Sequence, residues 1–393
     1  MKLILPLAAS FLSVSAAPLS PARTRQPHPE LPRLILYHQT THDPTGRPIS
    51  LLPLITKQHI ALTHLIVGAL HVHANGTIHL NDHPPSHPRF ATLWNETRIL
   101  QQQSSSSPSN EGRGKRGVKI LAMLGGAARG SFSASTLDAP ASAPAVFERA
   151  YRLLHDTLTA HRLDGVDLDV EEHMSQAGVT RLVERLYADF GPGFVITFAP
   201  VASALVGGWN LSGFNYSVLE RMAGRRIGFY NAQFYNGFGD MGSTGVFDRV
   251  VASGWDPRRV VVGQLTHPGN GGGGFVRHEV LGRTVEVLRR RYGEIGGVAG
   301  WEYFNGAPEG IGEPWRWAEV MTRVLRPGEV PRLGITREMA MGLERAWAVS
   351  AAAAGVVASG ERVVVSGDGD GIGGGNKGLR LWPNVDYMGM VNE

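Results

Sequence analysis

Ten consecutive residues, Leu163-Asp164-Gly165-Val166-Asp167-Leu168-Asp169-Val170-Glu171-Glu172, carry five acids interleaved with apolar residues. In an extended strand the side chains alternate, so Asp167, Asp169 and Glu171 share one face and Val166, Leu168 and Val170 share the other. Carboxylates ~6.5–7 Å apart on one buried face repel one another and lose solvation, so their pKa values are driven apart. Groups tuned in this way can donate and accept protons at neutral pH, which is the chemistry of general acid–base catalysis. Two other uses fit the same residues: an edge strand with its acids in water, or a cage for a divalent cation. The apolar alternation and the central position in the chain argue against the edge strand. Parity also separates the two glutamates, since Glu171 continues the phase of the trio and Glu172 leaves it. Asp164 is out of phase and is expected to begin the strand.

Such a face must be held inside something. From Leu34 onward, short β-branched runs alternate with segments of helical periodicity. The expected strands are Leu34–Tyr37, His64–Leu70, Val118–Leu124, Asp164–Glu171, Phe194–Ala199, Ile227–Tyr235, Val260–Leu265 and Val298–Phe304. Between them, Phe147, Tyr151, Leu154 and Leu158 repeat with helical spacing, as do Leu182, Leu186 and Phe190, and Leu281, Val285, Leu288 and Tyr292. Eight strands each followed by a helix imply an α/β fold, a closed (β/α)8 or TIM barrel over residues 31–330, with catalytic groups at the C-terminal strand ends. A doubly wound open sheet is the alternative, but its Gly-rich phosphate turn is missing after the first strand.

The residues Asp164-Gly165-Val166-Asp167-Leu168-Asp169-Val170-Glu171 match the Asp-Gly-x-Asp-x-Asp-x-Glu signature, and the chain resembles glycoside hydrolase family 18, which contains chitinases and endo-β-N-acetylglucosaminidases. The resemblance extends to Leu121-Ala122-Met123-Leu124-Gly125-Gly126, to Gln233-Phe234-Tyr235-Asn236 and to Gly300-Trp301, with Met123 standing where the family has Ser. It implies that Glu171 is the general acid and later the base, and that the substrate's own 2-acetamido carbonyl replaces an enzyme nucleophile. By the same resemblance Asp169 orients the acetamide, Asp167 shares a proton with it, and Tyr235 bonds the acetamide oxygen. Gln233, Asn236, Tyr37, Gly125 and Gly126 are implied to bind the sugar, over a floor formed by Trp301. No cofactor and no metal are expected.

The stretches Tyr37-His38-Gln39-Thr40, Phe229 to Gly237 and Val385-Asp386-Tyr387 resemble fungal secreted members acting on N-glycans, so the expected partner is an N-acetylglucosamine-containing glycan. Chitin is the alternative substrate. No Cys-rich or repeated aromatic segment suggests a separate chitin-binding module. A glycan-binding protein without catalysis is a second class of function, but such proteins typically lack the signature glutamate, and Glu171 is present. A lyase using the acids as Mg²⁺ ligands is a third, distinguishable by its sensitivity to chelators.

The 393 residues are 42% hydrophobic and 18% charged, enough apolar material for one large core, and Cys is absent. A net charge of +4 without basic runs gives no basis for nucleic-acid binding. Met1-Lys2, an apolar stretch from Leu3 to Val14 and Ser15-Ala16-Ala17 read as a signal peptide over residues 1–17, hence a secreted, extracellular protein, and no membrane span is expected. The sequons at Asn75, Asn95, Asn210 and Asn215 suit that route, and a monomer is expected. Residues 101–117 read as a polar surface insertion. Residues 331–393 read as a C-terminal helix with a Gly-rich flexible tail, whose Asp-Gly repeats lack the spacing of a calcium loop. Five histidines from His71 to His87 have no accompanying carboxylate pattern and read as loop residues rather than metal ligands.

Overall fold

A computed structural model describes residues 31–102 and 117–328 and a few positions between 338 and 345. The expected leader, residues 103–116 of the expected insertion over 101–117, and the Gly-rich tail lie outside the described residues. Nine strands form one sheet: β1 (Arg33–His38), β2 (His64–Val72), β3 (Ile78–Leu80), β4 (Lys119–Gly125), β5 (Gly165–Asp169), β6 (Val195–Phe198), β7 (Phe229–Gln233), β8 (Val260–Leu265) and β9 (Gly297–Trp301). Eight of them are parallel neighbours, and the β1–β2 pairing closes the ring into a (β/α)8 barrel, which excludes the open sheet. The ninth, β3, lies antiparallel on the outer half of β2 and was not expected, because three residues are too few to show a period.

The helices between the strands are α1 (Pro53–Thr56), α2 (Ala91–Gln102), α3 (Pro144–Ala160), α4 (Gln176–Phe190), α5 (Ala202–Leu205), α6 (Tyr216–Ala223), α7 (Gly245–Ala252), α8 (His278–Tyr292) and α9 (Arg316–Leu325). Helix α4 starts where the Ser175 hydroxyl accepts from the Gly178 amide, and α6 starts where Asn215 accepts from Val218. Each satisfies a first-turn N–H that the helix itself leaves open. Among the described residues no helix is long and apolar enough to cross a membrane.

Strand parity divides the core in two. Leu34, Leu36, Ile120, Ala122, Val166, Leu168, Ile196, Phe198, Tyr230 and Ala232 face outward into the layer between strands and helices. Ile35, Tyr37, Ile66, Leu121, Met123, Phe229, Val261 and Ala299 face inward and fill the barrel. Thr197, Asn231 and Gln233 share that inward phase and are buried too. Arg33 and His64 hold the same phase at the N-terminal ends, packed on Phe229, so both ends of the interior carry polar groups, and the inward carboxyls of β5 face Thr197, Asn231 and Gln233.

Candidate active site

Asp167 and Asp169 project inward from β5, while Glu171 lies two residues beyond the strand's last residue. The expected strand over 164–171 is thus shorter at both ends. Asp164 stays at the opposite end, where it accepts from Lys119 Nζ at 2.9 Å, the Ile120 amide at 2.9 Å and Gln101 at 2.8 Å.

The three inward carboxylates differ in what answers them. Asp167 is fully buried and accepts three hydrogen bonds, from Tyr37 Oη at 2.8 Å, Thr197 Oγ1 at 2.6 Å and Asn231 Nδ2 at 3.0 Å. Burial pushes its pKa up, and the three donors oppose that push. Asp169 has a single donor, Gln233 Nε2 at 3.2 Å. Its pKa is driven well above the usual carboxylate range, first by burial and then by the charges of Glu171 and Asp167 on either side. Glu171 is also raised by burial, and it accepts from the same Gln233 nitrogen at 3.1 Å. That nitrogen has a third acceptor, Ala199 O at 3.0 Å, so two hydrogens serve three oxygens. Gln233 thereby ties the two upper carboxyls to each other and to β6. No hydrogen bond joins Asp167 to Asp169; both oxygens of Asp167 already have protein donors, and the pair is coupled through charge.

Above them opens a pocket of about 270 Å³, whose walls include Tyr37, Asp169, Asn231, Gln233, Tyr235 and Trp301. The Tyr37 ring meets Trp301 edge-on with centroids 5.5 Å apart, an arrangement aromatic quadrupoles favour. Two buried acceptors in this wall, Asn231 Oδ1 and Gln264 Oε1, have no protein donor. Buried acceptors of that kind require donors from whatever fills the pocket, such as hydroxyl or amide groups.

Glu172 turns away. Its carboxylate accepts from the Gly130 amide at 2.9 Å and the Phe132 amide at 2.8 Å and so fastens the loop after β4. Gly125 and Gly126, both with positive φ, lie beside Asp169 at the end of β4, Gly125 being its partner in the sheet, and are not among the pocket's lining. A Cβ on Gly125 would stand 2.3 Å from Asp169 O, and the Gly126 amide donates to that same oxygen at 2.8 Å. Met123 is buried in the barrel core, and a Cβ on Gly126 would come within 2.7 Å of its methyl, so the side chain that departs from the family pattern fills space the glycine leaves. Asn236 sits outside the pocket wall: it accepts from the Gly272 amide at 2.8 Å and donates its own amide to Gly273 O, holding the loop after β8.

Sequence reading missed Thr197 and Asn231, although their in-phase positions on β6 and β7 were a usable signal. It also missed Glu302. This buried glutamate accepts from the Gln39 and Thr40 amides at 2.9 and 2.7 Å and from the Thr40 hydroxyl, clamping the loop after β1 beside Trp301. Among the described residues, no three His, Asp or Glu side chains are grouped so as to hold a metal ion.

A barrel whose C-terminal end gathers three graded carboxyls, an amide bridging two of them and an aromatic wall defines a carboxyl-based hydrolase of the glycosidase type. A fungal endo-β-N-acetylglucosaminidase of glycosyl hydrolase family 18 is 53% identical, with 76% of this chain and 100% of that one aligned at a TM-score of 0.71. A chitinase from Aspergillus fumigatus is 45% identical over 74% of this chain and 98% of its own, with a TM-score of 0.64. A family 18 chitinase from Pseudoalteromonas aurantia shares the fold at 16% identity and a TM-score of 0.58, over 75% of this chain and all of its own. No protein-family model matches the chain, and no curated protein does. The chain belongs to glycoside hydrolase family 18 and is a glycosidase.

Proposed function

We propose that the protein is a secreted endo-β-N-acetylglucosaminidase that cuts the β-1,4 bond between the two N-acetylglucosamines of N-glycans by substrate-assisted catalysis. The observation that carries this reading is the 53% identity to the fungal endo-β-N-acetylglucosaminidase across the whole of that chain, and the Asp169–Gln233–Glu171 arrangement supports it. Secretion is supported by the leader-like first 17 residues.

In the first step Glu171, whose pKa burial raises, gives its proton to the glycosidic oxygen as the bond from that oxygen to the anomeric carbon breaks. The acetamide carbonyl oxygen of the same sugar forms the new bond to that carbon, giving an oxazolinium-like intermediate with retained enzyme carboxyls. Asp169 takes the acetamide N–H and balances the developing positive charge, and Tyr235 bonds the acetamide oxygen in the pocket wall. In the second step Glu171, now a carboxylate, removes a proton from water as water attacks the anomeric carbon, the bond from that carbon to the acetamide oxygen breaks and the acetamide carbonyl is restored. The configuration is retained through two inversions.

A second reading, cleavage of chitin oligomers, is favoured by the 45% identity to the Aspergillus fumigatus chitinase. Parallel rates on a high-mannose glycopeptide and on chitin oligomers separate the two. Faster release of the glycan, leaving one N-acetylglucosamine on asparagine, is the expected result; oligomer cleavage without glycopeptide cleavage gives the chitinase.

A further inference from the structure

The four Asn-x-Ser/Thr patterns at Asn75, Asn95, Asn210 and Asn215 look alike in sequence, but the fold treats them differently. A sugar attached to asparagine is bonded to the carboxamide nitrogen, so the folded chain must leave that nitrogen open and leave room for a bulky, solvated group.

Asn75 stands exposed in the turn of the hairpin that joins β2 to β3. The Gly76 amide donates to His73 O at 3.0 Å and the His73 amide to Thr77 O at 2.9 Å, which closes the turn by backbone bonds alone. Gly76 adopts a φ of +86°, and a Cβ placed on it would meet nothing within 4 Å, so the space around the turn is open. Within it the carboxamide is held by one end. Asn75 Oδ1 accepts from the Thr77 amide at 3.1 Å and from the Thr77 hydroxyl at 2.8 Å, while the nitrogen has no partner among the described residues. An asparagine that bonds the chain two residues on forms this turn locally, without help from distant parts of the barrel.

The other three differ in each respect. Asn210 is only partly exposed and is closed at both ends: its nitrogen donates to Phe214 O at 2.5 Å and its oxygen accepts from the Ser212 amide at 2.8 Å. The hydroxyl of its pattern, Ser212, is buried and donates to Val170 O at 2.6 Å. Asn95 is exposed on α2, but its Thr97 hydroxyl is buried and donates to Trp94 O at 3.0 Å within the helix. Asn215 is exposed, but its oxygen caps α6 through the Val218 amide.

We infer that Asn75 is an N-glycan attachment site of the secreted chain and the most highly occupied of the four. The donor class is a lipid-linked oligosaccharyl diphosphate of the secretory membrane. The Asn75 nitrogen bonds to the donor's anomeric carbon as the bond from that carbon to the diphosphate oxygen breaks; the lipid diphosphate leaves and the nitrogen gives up one proton. The inference rests on the secreted reading given above. In the test, the full chain with its own leader is expressed in a secreting yeast and the protein in the medium is mapped by mass spectrometry. Trypsin, cutting after Lys57, Arg89 and Arg98, puts Asn75 and Asn95 in separate peptides, and chymotrypsin, cutting after Phe214, separates Asn210 from Asn215. A whole glycan or a single N-acetylglucosamine counts as occupancy, because the proposed activity trims the first to the second. Sugar on Asn75 in most molecules, with each other site occupied less, is the expected result, and the intact mass of secreted Asn75→Gln is expected to lack that sugar. A bare Asn75, an Asn210 occupied as fully as Asn75, or an intact mass that Asn75→Gln leaves unchanged in sugar overturns the inference. If the chain stays inside the cell, the secreted reading alone has failed: the same peptides are then read from a chain carrying the host's leader in place of residues 1–17, where sugar on Asn75 upholds the site and a bare Asn75 overturns it.

Discussion

Glu96 on α2, Asp169 on β5 and the half-buried Glu171 just beyond it are all carboxyls held above their ordinary pKa, yet they are built for different ends. Glu96, raised by burial to about 7, accepts from the Leu51 amide at 2.6 Å and from the Ser50 hydroxyl at 3.0 Å. Its partners are the turn at Ser50–Leu51, brought to it from 45 residues away, and no neighbouring charge contributes to its shift. Asp169 and Glu171 share one donor nitrogen, and Asp169 and that donor's residue, Gln233, line the pocket. A raised pKa is therefore not what marks the active site. Shared, insufficient donors beside open space mark it, since proton transfer there is not already settled by the protein.

The comparison is broken most forcefully at Glu171. Glu171→Gln conserves shape and the Gln233 contact while removing the transferable proton, and kcat is expected to fall by about 10³-fold or more with the melting temperature nearly unchanged. Because the pKa of Glu171 is raised, wild-type kcat is expected to stay high above the usual glutamate range and to fall only as pH rises through the raised value. A profile falling off near an ordinary glutamate pKa would deny the burial effect. Asp169→Asn is expected to lower kcat by about 10²-fold while a preformed sugar oxazoline is still consumed, since that donor has passed the step Asp169 assists. Equal losses on both donors would place Asp169 outside the first step.

At Glu96 the expectation reverses. Its folded pKa lies above the unfolded one, so the folded state holds the proton more tightly. Stability from this group is present below the unfolded value of 4.5 and is lost as pH rises toward about 7, a difference on the order of 3 kcal/mol. Glu96→Gln should flatten the melting temperature across that window and leave kcat alone. A kcat loss resembling that of Glu171→Gln would erase the distinction drawn between the two regions. The smallest effect is expected at Glu172, whose carboxylate only fastens the Gly130–Phe132 turn: Glu172→Gln should keep kcat within about twofold and cost about 1 kcal/mol of stability.

The eight barrel strands were legible because β-branched runs and turn residues punctuate them, and the inward phase of Asp167, Asp169 and Glu171 followed from parity. The ends were less legible. Glu171 lies past the strand because chain direction after Asp169 is set by contacts such as the Gly126 amide on Asp169 O, which no local pattern records. The β3 hairpin was too short to announce itself. Thr197 and Asn231 could have been found by extending the parity argument across β6 and β7, since both occupy the phase of the acids. Asn236 adds a contact that no motif records: its side chain accepts from the Gly272 amide of the loop after β8. Glu302 and Glu96 were beyond reach, because a lone glutamate becomes a clamp only when distant segments fold onto it.

In the reaction proposed above, the substrate's acetamide, steered by Asp169, does the work of a nucleophile. The direct measurement is turnover of two otherwise identical substrates, one bearing the 2-acetamido group on the reacting sugar and one a 2-hydroxyl, with the first-formed anomer followed by proton NMR. Turnover of the acetamido substrate alone, with retained configuration, is the predicted result. Comparable turnover of the 2-hydroxyl substrate, or an inverted product from either, would contradict it.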